Sequence, residues 1–412
     1  MRGKVWLLVA LIAACDTGSQ SGAGNVLRDS AGIQIAENRT PLLPLEQMWR
    51  VDPTPTFRAG GAEAALDEQL YLVMGATQLS DGRIAIGDQG SSSIRFFGPG
   101  GQHLKDVGRR GEGPGEFRQI LSLAALPADS IFIVDLRRFH LFTGEGELVS
   151  SYTPQEGSGP FIWPQTFLGD GSYIGYAWNG PVAQPAQDRW IDSVPLFRVI
   201  PQGQRDSIGM FPLGIYTPGS NPQYPSQLTY GPRLHLVAGQ TEIVTGFSDR
   251  YEIRILSQAG ELRRIVRLER ALRPVSAGDV AEYRTRSANA PGEDGKPAPE
   301  GLRALRERMA AAQVFAEQFP AFSKMLLDRQ GNLWVLEYEP WEDAPDRWGL
   351  VRIWTPSGDT RWDVFQPDGR WLGSVTMPPL FVPLEIGADY VLGLVRDQDD
   401  IEQVRKHPLL KP

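Results

Sequence analysis

The chain has 412 residues, 22% of them charged, and a formal net charge of −8. An acidic balance argues against nucleic acid, and against anionic lipid headgroups as an electrostatic partner. A single cysteine excludes an intrachain disulfide, so the fold rests on its core alone, which this length allows.

In chain order, Arg2 and Lys4 precede an apolar run over 5–14 that ends in Ala13-Ala14-Cys15. The run is too short to span a hydrocarbon core of about 30 Å and has the form of an export leader. The segment resembles a bacterial lipobox. That resemblance implies cleavage before Cys15 and lipidation of its thiol, anchoring the protein to a membrane; more than one acyl chain makes such an anchor stable. The pattern does not choose between inner and outer membrane. Residues 16–25 are polar and Gly/Ser-rich, as expected of a flexible tether. The expected division is a leader over 1–14, a lipidated tether with an entry strand over 15–40, and a body over 41–412. With the two leader cations removed, 39 cations face 49 acids.

The body reads as many short strands joined by tight turns, with 45 glycines, 33 prolines and 11 tryptophans. Asp81-Gly82 predicts a type I′ hairpin. Arg83–Asp88 alternates Ile84 and Ile86 with Ala85 and Gly87, as in a strand sandwiched between sheets. Strands at Ser93–Phe97 and His103–Val107 follow, and four strands in about 35 residues make one propeller blade. Further units begin near Leu121, Gly169, Thr241, Leu326 and Pro383. Blade two has Asp129-Ser130 in place of the Asp-Gly turn. In blade five both 349–359 and 361–377 fit the third strand. The last unit is one strand short, and residues 45–52 are expected to close the ring by pairing with it, since open sheet edges invite aggregation. The fold class expected is all-β: a six-bladed β-propeller of four-stranded antiparallel blades, closed by an N-terminal strand.

Asp81-Gly82, Ile86-Gly87-Asp88, Phe96-Phe97, Gly101 and the segment Gly108–Phe117 together resemble an NHL repeat. Over 28–408 the chain resembles the six-bladed β-propeller lipoproteins of environmental bacteria, with the opening Asp29–Gly32 and the GEGPGEF segment. Later blades match only in outline. The resemblance implies a fold more than an activity.

Residues 270–322 interrupt the strand rhythm between blades four and five. Ser276 and Asp279 form a capping box, 287–301 is a polar loop, and Leu302, Leu305, Met309, Ala312, Ala316 and Phe319 fall at helical spacing. The insertion reads either as a helix on the propeller's flank or as a lid over the channel mouth.

No nucleophile elbow, phosphate loop or zincin motif is present, and the four histidines are scattered. Asp88, Asp135 and Glu337 end the second strands of blades one, two and five. Set in a ring they would offer oxygen ligands to calcium or another divalent cation; the other reading has each acid capping its own turn. Arg109 and Arg110 lie in the glycine-rich segment, which reads as an inter-blade connector or as part of the channel mouth. Arg137, Trp163 and Trp178 complete the set expected to line a ligand site. No catalytic residue and no required cofactor emerge. The expectation is a binding scaffold of the cell envelope, for a protein, peptide or glycan. The alternative is a metal-dependent hydrolase or lyase, of lactonase or peptide-amidating-lyase kind. A quinone-cofactor dehydrogenase lacks the regular tryptophan repeat such propellers carry.

Overall fold

The computed structural model describes residues 24–412 apart from 137, 154–160, 178–179, 182–183, 185–186, 202, 219–224, 291–296, 341–355, 357 and 398. Six antiparallel sheets form the six blades of a β-propeller. Blade one is Val73–Gln78, Ile84–Asp88, Ser93–Phe97 and His103–Val107. Blade two is Ile120–Leu126, Ser130–Asp135, Phe139–Phe142 and Leu148–Tyr152. Blade three is Trp163–Phe167, Tyr173–Tyr176, Trp190–Val199 and Arg205–Thr217, and blade four is Leu234–Ala238, Glu242–Phe247, Glu252–Ser257 and Leu262–Leu268. Blade five is Lys324–Leu327, Leu333–Leu336, Thr360–Phe365 and Trp371–Met377. Its third strand thus comes from the later of the two segments that fit. Blade six takes Phe381–Ile386, Tyr390–Arg396 and Glu402–Leu410 from the C-terminal end of the chain.

The repeat lies in the turns. At Asp81-Gly82 only glycine is left-handed, so the expected type I′ turn does not form. Leu79 and Arg83 instead bracket a three-residue loop, with Gly82 N–H donating to the Leu79 carbonyl at 3.0 Å. Asp81 Oδ1 accepts the Arg83 N–H at 3.0 Å, satisfying a turn donor and keeping the aspartate out of the left-handed region. The same closure, with a left-handed glycine fourth, recurs at 98–102, 143–147, 168–172, 200–204, 257–261, 328–332 and 366–370. The type I′ geometry appears instead in blade two, where Ala128 and Asp129 have φ of 57° and 56°. Asp129 there accepts the Ser80 N–H of the neighbouring blade at 2.9 Å.

Alternating residue size sets how closely the blades approach. Ile84 and Ile86 face the blade-six residues Tyr390, Leu392 and Leu394, while Ala85 joins Ile120, Ile131 and Ile133 on the blade-two side. On that side a Cβ at Gly75 would stand 2.8 Å from the Leu123 carbonyl oxygen, so only glycine lets the inner strands come this close. Each large side chain fully buried between blades contributes about 1.5–3 kcal/mol of transfer free energy.

Closure differs in detail from expectation. Leu45–Gln47 is a single 3-10 turn, and Arg50–Val51 pairs only with Leu410 and Leu409. The fourth strand of blade six is Phe57–Gly60, antiparallel to Glu402–Leu410 with Phe57 opposite Lys406. Phe57 and Ala59 are buried, and Phe57 packs edge-on against Phe97. The entry segment also joins the ring. Val26–Ser30 and Ile33–Asn38 form a hairpin whose second strand pairs in parallel with Leu262–Leu268, extending blade four to six strands.

The insertion carries helices α1 (Ala277–Asn289) and α2 (Glu300–Ala311), and Ser276 and Asp279 form the expected capping box. The expected single stripe is split. Ala316 and Phe319 lie beyond the helix and are buried, whereas Leu302, Leu305 and Met309 are exposed.

Candidate functional site

Strand count places the site. First strands of neighbouring blades pack on one another between blades one and two, three and four, four and five, and six and one, so the first strands are the innermost. With four antiparallel strands per blade, the connections between strands one and two, and three and four, all fall on one face. The three-residue loops occupy that face. Connections between strands two and three, and from each blade to the next, fall on the other. The glycine-rich segment, the helical insertion and the other long connections therefore share one long-loop face.

This strand order takes Asp88, Asp135 and Glu337 off the axis, because second strands lie behind first strands. Asp88 is buried, and its Oδ1 accepts the Tyr71 and Gly90 N–H groups at 3.2 and 3.0 Å. Its Oδ2 takes the Ser91 hydroxyl at 3.0 Å and lies 3.6 Å from Arg95. Burial holds its carboxyl above the usual range against these bonds. Asp135 Oδ1 accepts the Gln119 N–H at 2.6 Å, and Glu337 lies 3.6 Å from Arg361. The three acids do not converge, and no group of three or more His, Cys, Asp and Glu side chains among the described residues could hold a metal.

The glycine-rich segment is a connector. Phe117 is fully buried between blades one and two, and a Cβ at Gly108 would lie 2.3 Å from its ring. Gly115 N–H donates to Nδ1 of His140 at 3.3 Å. Arg109 is 80% exposed and pairs with Glu116 at 2.8 Å, and Arg110 is also exposed. Trp163 opens the innermost strand of blade three, is half-exposed, and packs edge-on against Phe161 at 4.8 Å. Of the described sequence candidates it alone stands at the inner end of the long-loop face. Arg137, Trp178 and Cys15 lie outside the described residues.

The structure assembles a site that no motif marks. Between the inner ends of blades four and five lies a cavity of about 210 Å³. Leu234 and His235 come from the innermost strand of blade four, Ser248 from its long loop, and Phe322 and Ser323 from the entry to blade five. Tyr230 and Tyr338 form the wall toward the insertion. There Tyr230 meets Phe319 at 4.9 Å and Tyr283 of α1 at 5.6 Å, Phe319 lies against Tyr338 at 5.8 Å, and Arg273 stands 4.3 Å over the Phe319 ring. The insertion is thus fixed beside the cavity by an aromatic cluster.

Arg233 gives the cavity its charge. Its backbone bonds Ser248, but its guanidinium makes no ion pair among the described residues. It acts on two neighbours. Burial, and then the Arg233 charge, push the His235 imidazole down to about 3, so the ring is neutral at ordinary pH. Tyr216 is pushed up to about 12 by burial and Asp192, with Arg233 opposing. The Ser323 hydroxyl oxygen is buried with no hydrogen-bond partner among the described residues. A half-buried cation, a neutral imidazole and an unsatisfied hydroxyl suit a ligand that brings anionic and hydrogen-bonding groups.

A larger groove of about 600 Å³ runs along the outer edge of blade four, but its cations are already neutralised. Arg39 pairs with Glu269, Arg250 with Asp249, Arg267 with Glu37 and Glu252, and Arg270 with Asp363.

No family model and no curated protein matches the chain. Among solved structures it is similar to a member of the DUF4221 family from Bacteroides vulgatus, at 12% identity over 88% of this chain and 99% of that one, with a TM-score of 0.51. A Bacteroides fragilis protein named as exported matches at 12% identity, over 92% and 100% of the two chains, with a TM-score of 0.45. A gluconolactonase from Xanthomonas campestris matches at 12% identity over 87% and 96%, with a TM-score of 0.37. At these identities the likeness is one of fold.

Proposed function

We propose that this protein is an exported, lipid-anchored β-propeller that binds a carboxylate-bearing ligand, an acidic peptide or glycan of the cell envelope, in the cavity between blades four and five. The observation that carries this reading is the Arg233 guanidinium at the cavity wall, with no ion pair among the described residues, beside the neutral His235. Export and anchoring rest on the leader and on Cys15. Recognition rather than proton transfer suits His235, because an imidazole that protonates only near pH 3 is a weak base at neutral pH.

The test is thermal stabilisation of the detergent-solubilised full protein by glucuronic acid and short acidic peptides, against neutral sugars and amidated peptides. Binding confined to the acids, weakened at least tenfold in Arg233→Met, is the expected outcome. Equal binding of neutral analogues, or full binding by Arg233→Met, overturns the reading.

The second reading is a metal-dependent hydrolase or lyase. The scattered positions of Asp88, Asp135 and Glu337 give it no three-ligand centre among the described residues. Stoichiometric metal in the purified protein, with activity lost to chelator, would establish it over the first.

A further inference from the structure

The root of the tether and the root of the helical insertion touch. Asn25 Nδ2 donates to the Thr40 carbonyl at 2.8 Å, and Asn25 Oδ1 accepts the Arg39 N–H at 2.8 Å, which seals the entry hairpin. Ile33–Asn38 runs parallel to the last strand of blade four, so it ends on the long-loop face. There the Glu269 N–H donates to the Asn38 carbonyl at 2.8 Å, and Arg39 pairs with Glu269 at 2.5 Å. Glu269 is where the chain leaves blade four for the insertion. Nine residues separate Cys15 from Asn25, where the tether of 16–25 meets the hairpin. Fully extended they reach about 30 Å, so a lipid on Cys15 stays within that distance of Asn25 and can reach the side of the ring that carries the insertion.

Helix α2 presents what a membrane surface would take up. Leu302, Leu305 and Met309 are 37%, 44% and 58% exposed and fall within one narrow arc of the helix. Arg308 flanks that arc on one side, where its long cationic side chain can lay its stem on the apolar layer and keep its head in the phosphate region, while Arg306 on the other side is half-buried and donates to the Ala290 carbonyl. Val314, 42% exposed, follows the helix.

We propose that the Leu302–Leu305–Met309 face of α2 docks in the interfacial layer of the membrane that carries the protein's own lipid anchor, holding the long-loop face toward the bilayer. The proposal rests on the anchored reading of Cys15. Docking is driven by apolar burial beside an anchor already in place, so the acidic balance of the whole chain does not oppose it at this helix.

The test uses the full acylated protein. With Cys15 occupied by lipid, Met309→Cys supplies one reactive thiol for an environment-sensitive nitrobenzoxadiazole dye. Gln102→Cys, on the short-turn face, is the reference. In phosphatidylethanolamine–phosphatidylglycerol vesicles the dye at 309 is expected to shift to the blue and intensify, with the dye at 102 unchanged. Leu302→Glu with Leu305→Glu should abolish the shift without altering the thermal midpoint, since both sites are exposed. A water-like spectrum at 309 in protein whose acylation is confirmed by mass overturns the docking. A shift in detergent that grows with protein concentration assigns the face to a second copy and also overturns it. An unmodified Cys15 overturns the anchored reading itself, a result separable by mass alone.

Discussion

Two guanidinium nitrogens of Arg270 reach the two carboxylate oxygens of Asp363, at 2.8 and 3.0 Å. Asp363 is fully buried on the third strand of blade five, where the Tyr251 hydroxyl of blade four and the Ser374 hydroxyl also donate to it, at 2.8 and 2.7 Å. One carboxylate thus ties together two blades and the start of the insertion. Breaking a buried pair by removing one partner strands the other charge, at a cost of about 3 kcal/mol. Arg270→Met is therefore expected to lower stability by that order, and Tyr251→Phe by about 1 kcal/mol. Urea unfolding followed by tryptophan fluorescence measures both; an unmoved midpoint in Arg270→Met would show that the pair does not brace the blades.

His140 predicts an acid sensitivity. Its ring is buried, accepts the Gly115 N–H and packs edge-on against Phe117, and burial with the nearby Arg138 charge pushes it down to about 4. The folded value lies below that of an unfolded histidine, near 6.5, so the unfolded chain binds the proton more readily. The stabilisation is complete above pH 6.5 and is lost as pH falls toward 4, a range worth about 3 kcal/mol. Between pH 7 and pH 4.5, His140→Asn should lose about 2 kcal/mol less stability than the parent protein. Parallel pH profiles for the two proteins would refute the assignment.

Phe57 tests the closure. Phe57→Ala empties a buried aromatic site shared by the closing strand and blade one, at a cost of about 3 kcal/mol. Because Phe57–Gly60 covers the edge of Glu402–Leu410, loosening it also exposes an unpaired strand. Concentration-dependent aggregation on mild heating is the expected second sign. A variant that stays monomeric through its thermal transition would place the closing energy elsewhere.

What the sequence made legible was local. Blade one could be read almost residue for residue, because its glycines and alternating side chains answer to turn geometry and to packing within a few residues. Asp81-Gly82 marked the right turn but the wrong turn type: the aspartate's bond to Arg83 favours a three-residue loop, a choice the dipeptide alone does not reveal. Non-local pairing was not legible. Phe57–Gly60 is four residues without a pattern, and Ile33–Asn38 pairs in parallel with a strand some 230 residues away. For Asp88, Asp135 and Glu337 the sequence leaves a ring and a turn cap both open, because equivalent positions form a ring whose radius depends on which strand is innermost; Asp88 bonds its own turn at the Gly90 N–H. Arg233, His235 and Ser323 carry no motif at all. The packing of blade four against blade five brings together a strand start and a loop end 88 residues apart, and what marks the site is an Arg233 guanidinium with no ion pair among the described residues beside the buried Ser323 hydroxyl.

Blade six joins an early strand, Phe57–Gly60, to three late ones, and this sets an order of events in folding. Gln403 Nε2 bonds the Gly60 carbonyl across 343 residues, so the first blade material to be delivered waits for the last. At synthesis rates of about 5–20 residues per second that wait is on the order of half a minute. Throughout it, Phe57–Gly60 and the inner face of blade one have no partner, and the nascent ring is an open arc with sticky ends. Closure of this ring is therefore all or nothing. A product stopped before residue 402 lacks the strand that receives Phe57–Gly60, and can only be cleared or held by a chaperone, however complete its other blades.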